Sequence, residues 1–188
     1  MSQPVHPRLA ALAAVVSDVD GVLTDGTVGV LPGGQKFRAF HVHDGMGVQL
    51  LKAAGVRIGW MSSSVDDGVI RARAQALGVH AVDVGDGDKG ERFRRLCAAL
   101  GTTPDLALYL GDDVNDLPAF ALAGVAACPA DARPEVVDRA AILLRACGGR
   151  GAFREAADML LRAKGFDAAE DHAGALNPDP LPLGIPRP

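Results

Sequence analysis

The sequence predicts an α/β protein in which helices cover both faces of a doubly wound parallel sheet. Short β-prone segments alternate with helix-length segments along most of the 188-residue chain. Hydrophobic residues make up 48% of the chain and aromatic residues only 4%, which predicts one sizeable core of Ala, Val and Leu. Polar side chains follow four of the predicted strands, and ligands of such sheets bind beyond the carboxyl ends of the strands.

The first strand is predicted over Ala10–Ser17, a run of small apolar residues that ends at Asp18. Two β-prone segments separated by Pro32-Gly33-Gly34 then predict a hairpin over residues 27–40. Glycines that follow apolar, helix-length segments mark the ends of helices. On these signals the next elements are a helix over Met46–Ala54, a strand over Val56–Met61, a helix over Val69–Leu77, a strand over Val79–Val84, a helix over Gly90–Leu100 and a strand over Leu106–Leu110.

A short helix, a strand and a helix over Ala152–Lys164 are predicted for the rest of the folded chain. The segment Asp167–Pro188 is rich in Pro, Ala and Asp without periodicity, which predicts a flexible tail. We therefore expect one domain over residues 1–166, with the hairpin as a flap, and a tail over residues 167–188.

Composition excludes several classes of function. A net charge of −4 argues against a dedicated nucleic-acid-binding protein, and no apolar run approaches the roughly 20 residues that a membrane span requires. The N-terminus lacks the pattern of a secretory signal. Three widely spaced cysteines fit neither a disulfide framework nor a zinc site, so we expect a cytoplasmic protein.

Two pairs of carboxylates follow separate predicted strands: Asp18 and Asp20 after the first, and Asp112 and Asp113 after the fourth. Because side chains alternate along a strand, Asp18 and Asp20 point the same way. Carboxylates crowded in this manner repel each other, and a hard cation such as Mg²⁺ relieves the repulsion. The sequence therefore predicts a magnesium site at this edge of the sheet.

Residues suited to phosphate lie at the ends of the other strands. Lys89 offers a compact positive charge, and Ser62 offers a hydroxyl donor. The backbone amides of Ser63 and Ser64, at the start of a predicted helix, suit an anion. Together with the acidic pairs, these groups indicate phosphoryl transfer through an aspartyl-phosphate.

Four segments resemble, in order, the four motifs of the haloacid dehalogenase superfamily of phosphatases. They are Asp18-Val19-Asp20-Gly21-Val22-Leu23-Thr24-Asp25-Gly26, Ser62, Lys89 and Gly111-Asp112-Asp113-Val114-Asn115-Asp116. Two further segments resemble the capless subfamily that includes the 3-deoxy-D-manno-octulosonate 8-phosphate and nonulosonate 9-phosphate phosphatases. These are Phe40-His41-Val42-His43-Asp44-Gly45-Met46-Gly47 and Gly148-Gly149-Arg150-Gly151-Ala152-Phe153-Arg154-Glu155. The resemblance covers about Val15 to Gly165 and implies a Rossmann-like fold of the haloacid dehalogenase type.

The spacing of the motifs predicts that the chain has no cap domain. The gap from Gly21 to Met61 is filled by one hairpin and one helix, and the gap from Ser63 to Asp88 by one helix and one strand. The resemblance implies that a homotetramer covers each site instead, with the hairpin, Arg150 and the tail as candidate lid elements.

The resemblance also implies roles for individual residues. Asp18 would attack phosphorus and bind Mg²⁺, and Asp112 would complete the metal shell. Asp20 would protonate the leaving oxygen and then activate water, while its backbone carbonyl binds the metal. The remaining roles are phosphate binding by Ser62, Ser63 and Lys89, and support by Asp113 and Asp116 through water or by orienting Lys89.

Two positions depart from the subfamily pattern. Ser62-Ser63-Ser64 stands where Thr-Gly-Arg is usual, and His43 stands where an Arg is usual. Two guanidinium groups suited to a carboxylate are therefore missing. The candidate substrate-binding residues are His43, Asp44, Arg38 and Arg150.

We therefore expect a Mg²⁺-dependent phosphomonoesterase of a small phosphorylated sugar or sugar acid, with no nucleic-acid or membrane partner. A phosphatase of a nucleoside phosphate or another specialised sugar is the alternative. A receiver-type signalling domain also clusters Asp, Lys and a hydroxyl around Mg²⁺, but its phospho-acceptor follows the third strand and it has no hairpin. A catalytically silent oligomerisation module is disfavoured because the acidic set is intact.

Overall fold

The computed structural model describes residues 6–65 and 68–167 of the chain. Its strands are β1 (Ala14–Asp18), β2 (Gly29–Val30), β3 (Lys36–Phe37), β4 (Arg57–Ser62), β5 (Ala81–Val84), β6 (Ala107–Leu110), β7 (Val125–Cys128) and β8 (Ile142–Leu143). Six of them form a parallel sheet in the order β5-β4-β1-β6-β7-β8, while β2 and β3 form a separate antiparallel hairpin. The predicted doubly wound sheet with a hairpin after the first strand is confirmed.

Helices cover both faces of this sheet. They are α1 (Val42–Ala53), α2 (Gly68–Leu77), α3 (Lys89–Ala99), α4 (Leu117–Phe120), α5 (Pro134–Val137) and α6 (Ala152–Ala163). Val15 of β1 belongs to a core with residues of α1 and α6, whereas the next residue, Val16, packs in a second core with Phe93 of α3. Because both faces are covered, the central strands β1 and β6 are buried along their whole length and are mostly apolar, as parallel strands usually are.

Several element boundaries differ from the sequence-based expectation. α1 begins at Val42 rather than Met46, because His41 caps it: its Nδ1 accepts a hydrogen bond from the backbone N–H of His43 at 3.3 Å. β1 begins at Ala14 rather than Ala10, since a 3-10 turn over Leu9–Ala11 precedes it. The expectation of one helix and one strand before α6 was also wrong, because α5 and β8 were missed; elements of four and two residues are too short to show periodicity.

The connections between the sheet strands position the site and leave no room for a cap domain. Between β1 and β4 the described chain forms only the hairpin and α1, and between β4 and β5 only α2, as the motif spacing predicted. No helix of the described chain combines the length and apolar character that a bilayer crossing requires. Residues 168–188 of the predicted tail lie outside the described part.

Candidate active site

The carboxyl ends of β1, β4 and β6 surround a cavity of about 310 Å³ at one edge of the sheet. Its lining residues are Asp18, Asp20, Gly26, Ser63, Ser64, Lys89, Asp112, Asp113 and Asn115. Parallel strands bring their carboxyl ends together, so residues distant in sequence meet here. The structure thus gathers most of the sequence-predicted catalytic, phosphate-binding and metal-binding residues at one place.

Lys89 lies between two buried carboxylates at the floor of this cavity. Its Nζ is 2.7 Å from Oδ1 of Asp18 and 2.6 Å from Oδ1 of Asp116, and its side chain is only 2% exposed. Burial alone would lower the pKa of Lys89, but the two carboxylates outweigh burial and raise it. Lys89 is therefore a permanent positive charge beside the predicted nucleophile.

Asp116 is the second carboxylate that contacts Lys89. It is fully buried, and its Oδ1 accepts hydrogen bonds from Lys89 and from the hydroxyl of Tyr109 at 2.7 Å. Its Oδ2 accepts from the backbone N–H groups of Asp112 at 3.0 Å and Asp113 at 3.3 Å. Charged and neutral donors therefore bond both oxygens of Asp116, an arrangement that fits its predicted supporting role beside Lys89.

Asp113 and Tyr109 differ from what their sequence context suggests. Asp113 is exposed, and its carboxylate accepts from the backbone N–H of Val114 at 2.7 Å, so it caps a 3-10 turn instead of orienting Lys89. Tyr109 is buried in β6, as an aromatic residue of an apolar strand usually is, but its hydroxyl also donates to Asp116. A single hydroxyl on an otherwise aliphatic strand just before the fourth motif was the available signal.

Carboxylate oxygens of Asp18, Asp112 and Asp116 lie within 4.8 Å of one another. Burial and then the Asp116 carboxylate raise the pKa of Asp18, and the same two causes raise the pKa of Asp112 to about 7. Carboxyl groups perturbed in this way fit a hard divalent cation, whose charge would favour their ionised forms. Since the Asp116 oxygens already have partners, Asp18 and Asp112 are the residues suited to hold Mg²⁺. The carboxylate of Asp20 lies outside this group, and metal binding by its backbone carbonyl stays a prediction.

Asp20 is held by two donors at the other side of the cavity. Arg38 Nε lies 2.6 Å from Oδ1 of Asp20, and the Ser62 hydroxyl donates to Oδ2 at 3.1 Å. Ser62 is buried and its Oγ also accepts from the backbone N–H of Ser64 at 3.0 Å. The structure therefore places Ser62 against Asp20, whereas Ser63 and Ser64 line the cavity; phosphate binding by Ser62 and Ser63 stays a prediction.

Glycines bring three chain segments into close contact behind the acidic residues. Gly21 has a φ of +94°, and a Cβ there would lie 2.1 Å from Oδ2 of Asp112. A Cβ on Gly148 would lie 2.0 Å from the backbone oxygen of Gly21, and the N–H of Gly149 donates to the Val22 carbonyl at 2.9 Å. The glycine-rich segment before α6 therefore supports the loop that follows Asp20, because only glycine permits this approach.

The four candidate substrate-binding residues do not line the cavity of the described chain. His43 and Arg150 are exposed, and His43 contacts the ring of His41 edge-on. Asp44 is buried, and its Oδ1 accepts from the backbone N–H of Arg154 at 2.8 Å, which ties α1 to the start of α6. Arg38 reaches Asp20. Asp44 and Arg38 are thus engaged within the fold.

Comparison with known proteins gives a consistent set of similarities. The family model of the haloacid dehalogenase-like hydrolases matches residues 46–124. The chain is 37% identical to the 3-deoxy-D-manno-octulosonate 8-phosphate phosphatase of Haemophilus influenzae over 169 residues, which cover 90% of this chain and 93% of that protein. It is 32% identical to the Yersinia pestis protein of the same name over 164 residues, which cover 87% of each chain.

Solved structures agree with these sequence matches. The cobalt-bound form of the Haemophilus influenzae phosphatase superposes with a TM-score of 0.83 at 36% identity, covering 88% of this chain and 99% of that chain. The Moraxella catarrhalis phosphatase in complex with a magnesium ion, a phosphate ion and 3-deoxy-D-manno-octulosonate (KDO) superposes with a TM-score of 0.82 at 26% identity, covering 90% and 96% of the two chains.

Proposed function

Since this chain belongs to the haloacid dehalogenase-like hydrolase family, we propose that it hydrolyses a phosphorylated sugar acid of the 3-deoxy-D-manno-octulosonate 8-phosphate type through an aspartyl-phosphate on Asp18. The protein is a phosphoric monoester hydrolase of the capless type, and its cofactor is Mg²⁺. The observation that carries the mechanism is the placement of Asp18, which shares a cavity with Asp112 and lies 2.7 Å from Lys89.

The proposed reaction has two halves. Asp18 attacks phosphorus, the bond from phosphorus to the sugar oxygen breaks, and Asp20 gives its proton to that oxygen. Asp20 then takes a proton from a water molecule that attacks phosphorus, so that phosphate leaves and the Asp18 carboxylate is restored. Lys89 supplies positive charge beside Asp18 throughout. Bound by Asp18 and Asp112, Mg²⁺ supplies charge that offsets the negative charge of the phosphoryl oxygens.

The names of the relatives support a sugar-acid substrate, and two local features favour an alternative. Ser64 and His43 stand where the subfamily pattern has arginines, so the carboxylate of a sugar acid has fewer guanidinium partners in this chain. The alternative is a nucleoside phosphate or a neutral specialised sugar phosphate, hydrolysed by the same residues.

Phosphate release from a panel of esters tests the substrate and the metal together. We expect kcat/KM for 3-deoxy-D-manno-octulosonate 8-phosphate to exceed that for glucose 6-phosphate and for a nucleoside 5′-monophosphate by at least about tenfold, or 1.4 kcal/mol. Chelation with EDTA is expected to abolish turnover, and added Mg²⁺ to restore it. A preference for the nucleotide would replace the sugar-acid proposal with its alternative. Turnover that survives chelation would contradict the assigned metal site.

We also propose that the protein assembles as a homotetramer through its hairpin. The hairpin exposes apolar side chains, among them Val30 at 65% and Phe37 at 55% of their surface. Large apolar side chains left exposed on a short hairpin are the kind of surface that another chain can cover. Light scattering after size exclusion is expected to give the mass of four chains, and the Val30→Lys and Phe37→Lys double variant to give smaller species. A wild-type monomer with full activity would contradict the tetramer.

A further inference from the structure

We propose that Arg38 is a positioning residue for the general acid of this reaction. In this proposal its guanidinium fixes Asp20 so that the transferable proton lies on Oδ2, and it stabilises the carboxylate that remains after the proton has left. The inference rests on the proposed function, because it takes Asp20 to be the group that protonates the leaving oxygen.

The contacts of Arg38 are short and directed at the active-site cavity. Nε donates to Oδ1 of Asp20 at 2.6 Å, and Nη2 donates to the hydroxyl of Ser64 at 3.0 Å, with a longer contact of 3.5 Å to Oδ2 of Asp20. The Arg38 side chain is 2% exposed, whereas that of Asp20 is 27% exposed. A charge-assisted hydrogen bond therefore joins the buried guanidinium of Arg38 to the partly exposed carboxylate of Asp20, which lines the cavity.

Arg38 supports the cavity from behind rather than lining it. Asp20 and Ser64 line the cavity, but Arg38 does not. The two residues that Arg38 bonds, Asp20 and Ser64, both belong to the cavity wall. Its remaining nitrogen, Nη1, is buried and has no hydrogen-bond partner within the described chain. In this placement, orientation of Asp20 is the role that the geometry of Arg38 supports, whereas contact of Arg38 with substrate stays a prediction.

The chemistry of the donors determines where the acid proton can lie. An arginine Nε only donates, so Oδ1 of Asp20 must accept and remain unprotonated while the 2.6 Å bond is kept. A serine hydroxyl can donate or accept, so Oδ2 can carry a proton beside Ser62. The proton passes from Oδ2 to the leaving oxygen as the bond to phosphorus breaks. It is replaced from the attacking water in the second half of the reaction.

Two aryl esters separate this role from a general structural role. Nitrophenolate leaves without a proton, whereas phenolate, whose conjugate acid has a pKa of about 10, gains much more from protonation. The comparison is made in single turnovers, because Asp20 also acts as the base in the second half of the reaction. We expect Arg38→Met to slow phenol release from phenyl phosphate by about 100-fold, and nitrophenolate release from p-nitrophenyl phosphate by less than about threefold. KM should change by less than about twofold for both esters, because Arg38 does not touch substrate. Arg38→Lys keeps the charge without the planar fork and should lie between Arg38→Met and the wild type.

A double-mutant cycle with Asp20→Asn completes the test. In the same single-turnover assay Asp20→Asn should show the same discrimination between the esters, and adding Arg38→Met to it should cost little more, because the two side chains act as one unit. Arg94→Met, which removes an exposed guanidinium paired with Glu91, is the matched control and should leave both rates unchanged.

Three results would overturn the inference: equal losses on both esters, a rise in KM at unchanged kcat, or additive effects with Asp20→Asn. If Arg38→Met does not fold, as thermal unfolding would show, Arg38→Lys carries the same comparison. An Asp18→Asn variant with wild-type turnover on both esters would instead overturn the proposed function, and the inference with it.

Discussion

The Asp18→Asn variant is expected to lose turnover by at least about 10⁴-fold while it remains folded. A carboxamide is a poor nucleophile and a weak ligand for Mg²⁺, so one substitution removes both proposed roles of this side chain. The fold should tolerate a neutral group here, because burial and the Asp116 carboxylate already raise the pKa of Asp18. Phosphate release measured beside thermal unfolding separates the two effects.

Asp113→Asn is the matched control for this substitution. Asp113 lines the same cavity, but it is exposed, and its carboxylate accepts a hydrogen bond from the backbone of Val114, which an amide oxygen can also accept. We expect its loss of turnover to stay below about tenfold. An Asp18→Asn protein that retains more than about one hundredth of wild-type turnover would contradict the nucleophilic role.

The Lys89→Met variant is expected to lose both stability and activity. The substitution leaves the carboxylates of Asp18 and Asp116 buried without their shared cation, and the loss of one partner of a buried ion pair costs about 3–5 kcal/mol. The cause is electrostatic, since Met has a side chain of similar length. Turnover should fall in parallel, because the charge beside the phosphoryl group is removed.

The destabilisation should depend on pH in a defined direction. Asp18 has a pKa raised above its usual value of 3.8, so the folded state binds more protons than the unfolded state, and stability falls as pH rises above that value. Lys89 lowers the pKa of Asp18, so its removal raises that pKa further and makes the fall of stability with pH steeper. Lys89→Met should therefore lose more free energy of unfolding at pH 8 than at pH 5. Urea unfolding at both pH values checks this. Lys164→Met, which removes an exposed amine that donates to the Ala10 carbonyl, should cost less than about 1 kcal/mol. Equal stability of Lys89→Met and wild type at pH 8 would contradict the stabilising role of Lys89 between Asp18 and Asp116.

The sequence was sufficient to predict the parallel sheet and the spatial proximity of Asp18, Asp112 and Lys89. Buried parallel strands are recognised from continuous apolar runs, and their carboxyl ends necessarily share one edge of the sheet. A side chain that directly follows such a strand is therefore located by topology alone. Asp18 is the last residue of β1, and Asp112 lies just beyond the end of β6, the neighbour of β1 in the sheet, so their proximity needed no knowledge of the loops.

The contact of Arg38 with Asp20 and the contacts of Asp116 could not be predicted from strand order. Arg38 meets Asp20 because the hairpin folds back over the end of β1, and that path is set by tertiary packing rather than by strand order. Asp116 was equally compatible with a helix cap in the sequence, since an Asp just before a Pro-containing helix is a common cap. In the structure Asp116 makes no side-chain cap bond to that helix, α4, and its Oδ1 accepts from Lys89 and from Tyr109 of β6.

Chemical trapping of the phosphorylated enzyme tests most directly the claim that Asp18 receives the phosphoryl group. The Asp20→Asn variant, which lacks the base for the second half of the reaction, is mixed with Mg²⁺ and p-nitrophenyl phosphate, whose leaving group needs no proton. After acid quenching, borohydride reduces an acyl phosphate to an alcohol, and peptide mass spectrometry identifies the reduced residue. We predict reduction at residue 18 alone, dependent on Mg²⁺. Reduction at Asp112 instead, or an unmodified Asp18 in a variant that still releases nitrophenolate, would contradict the account.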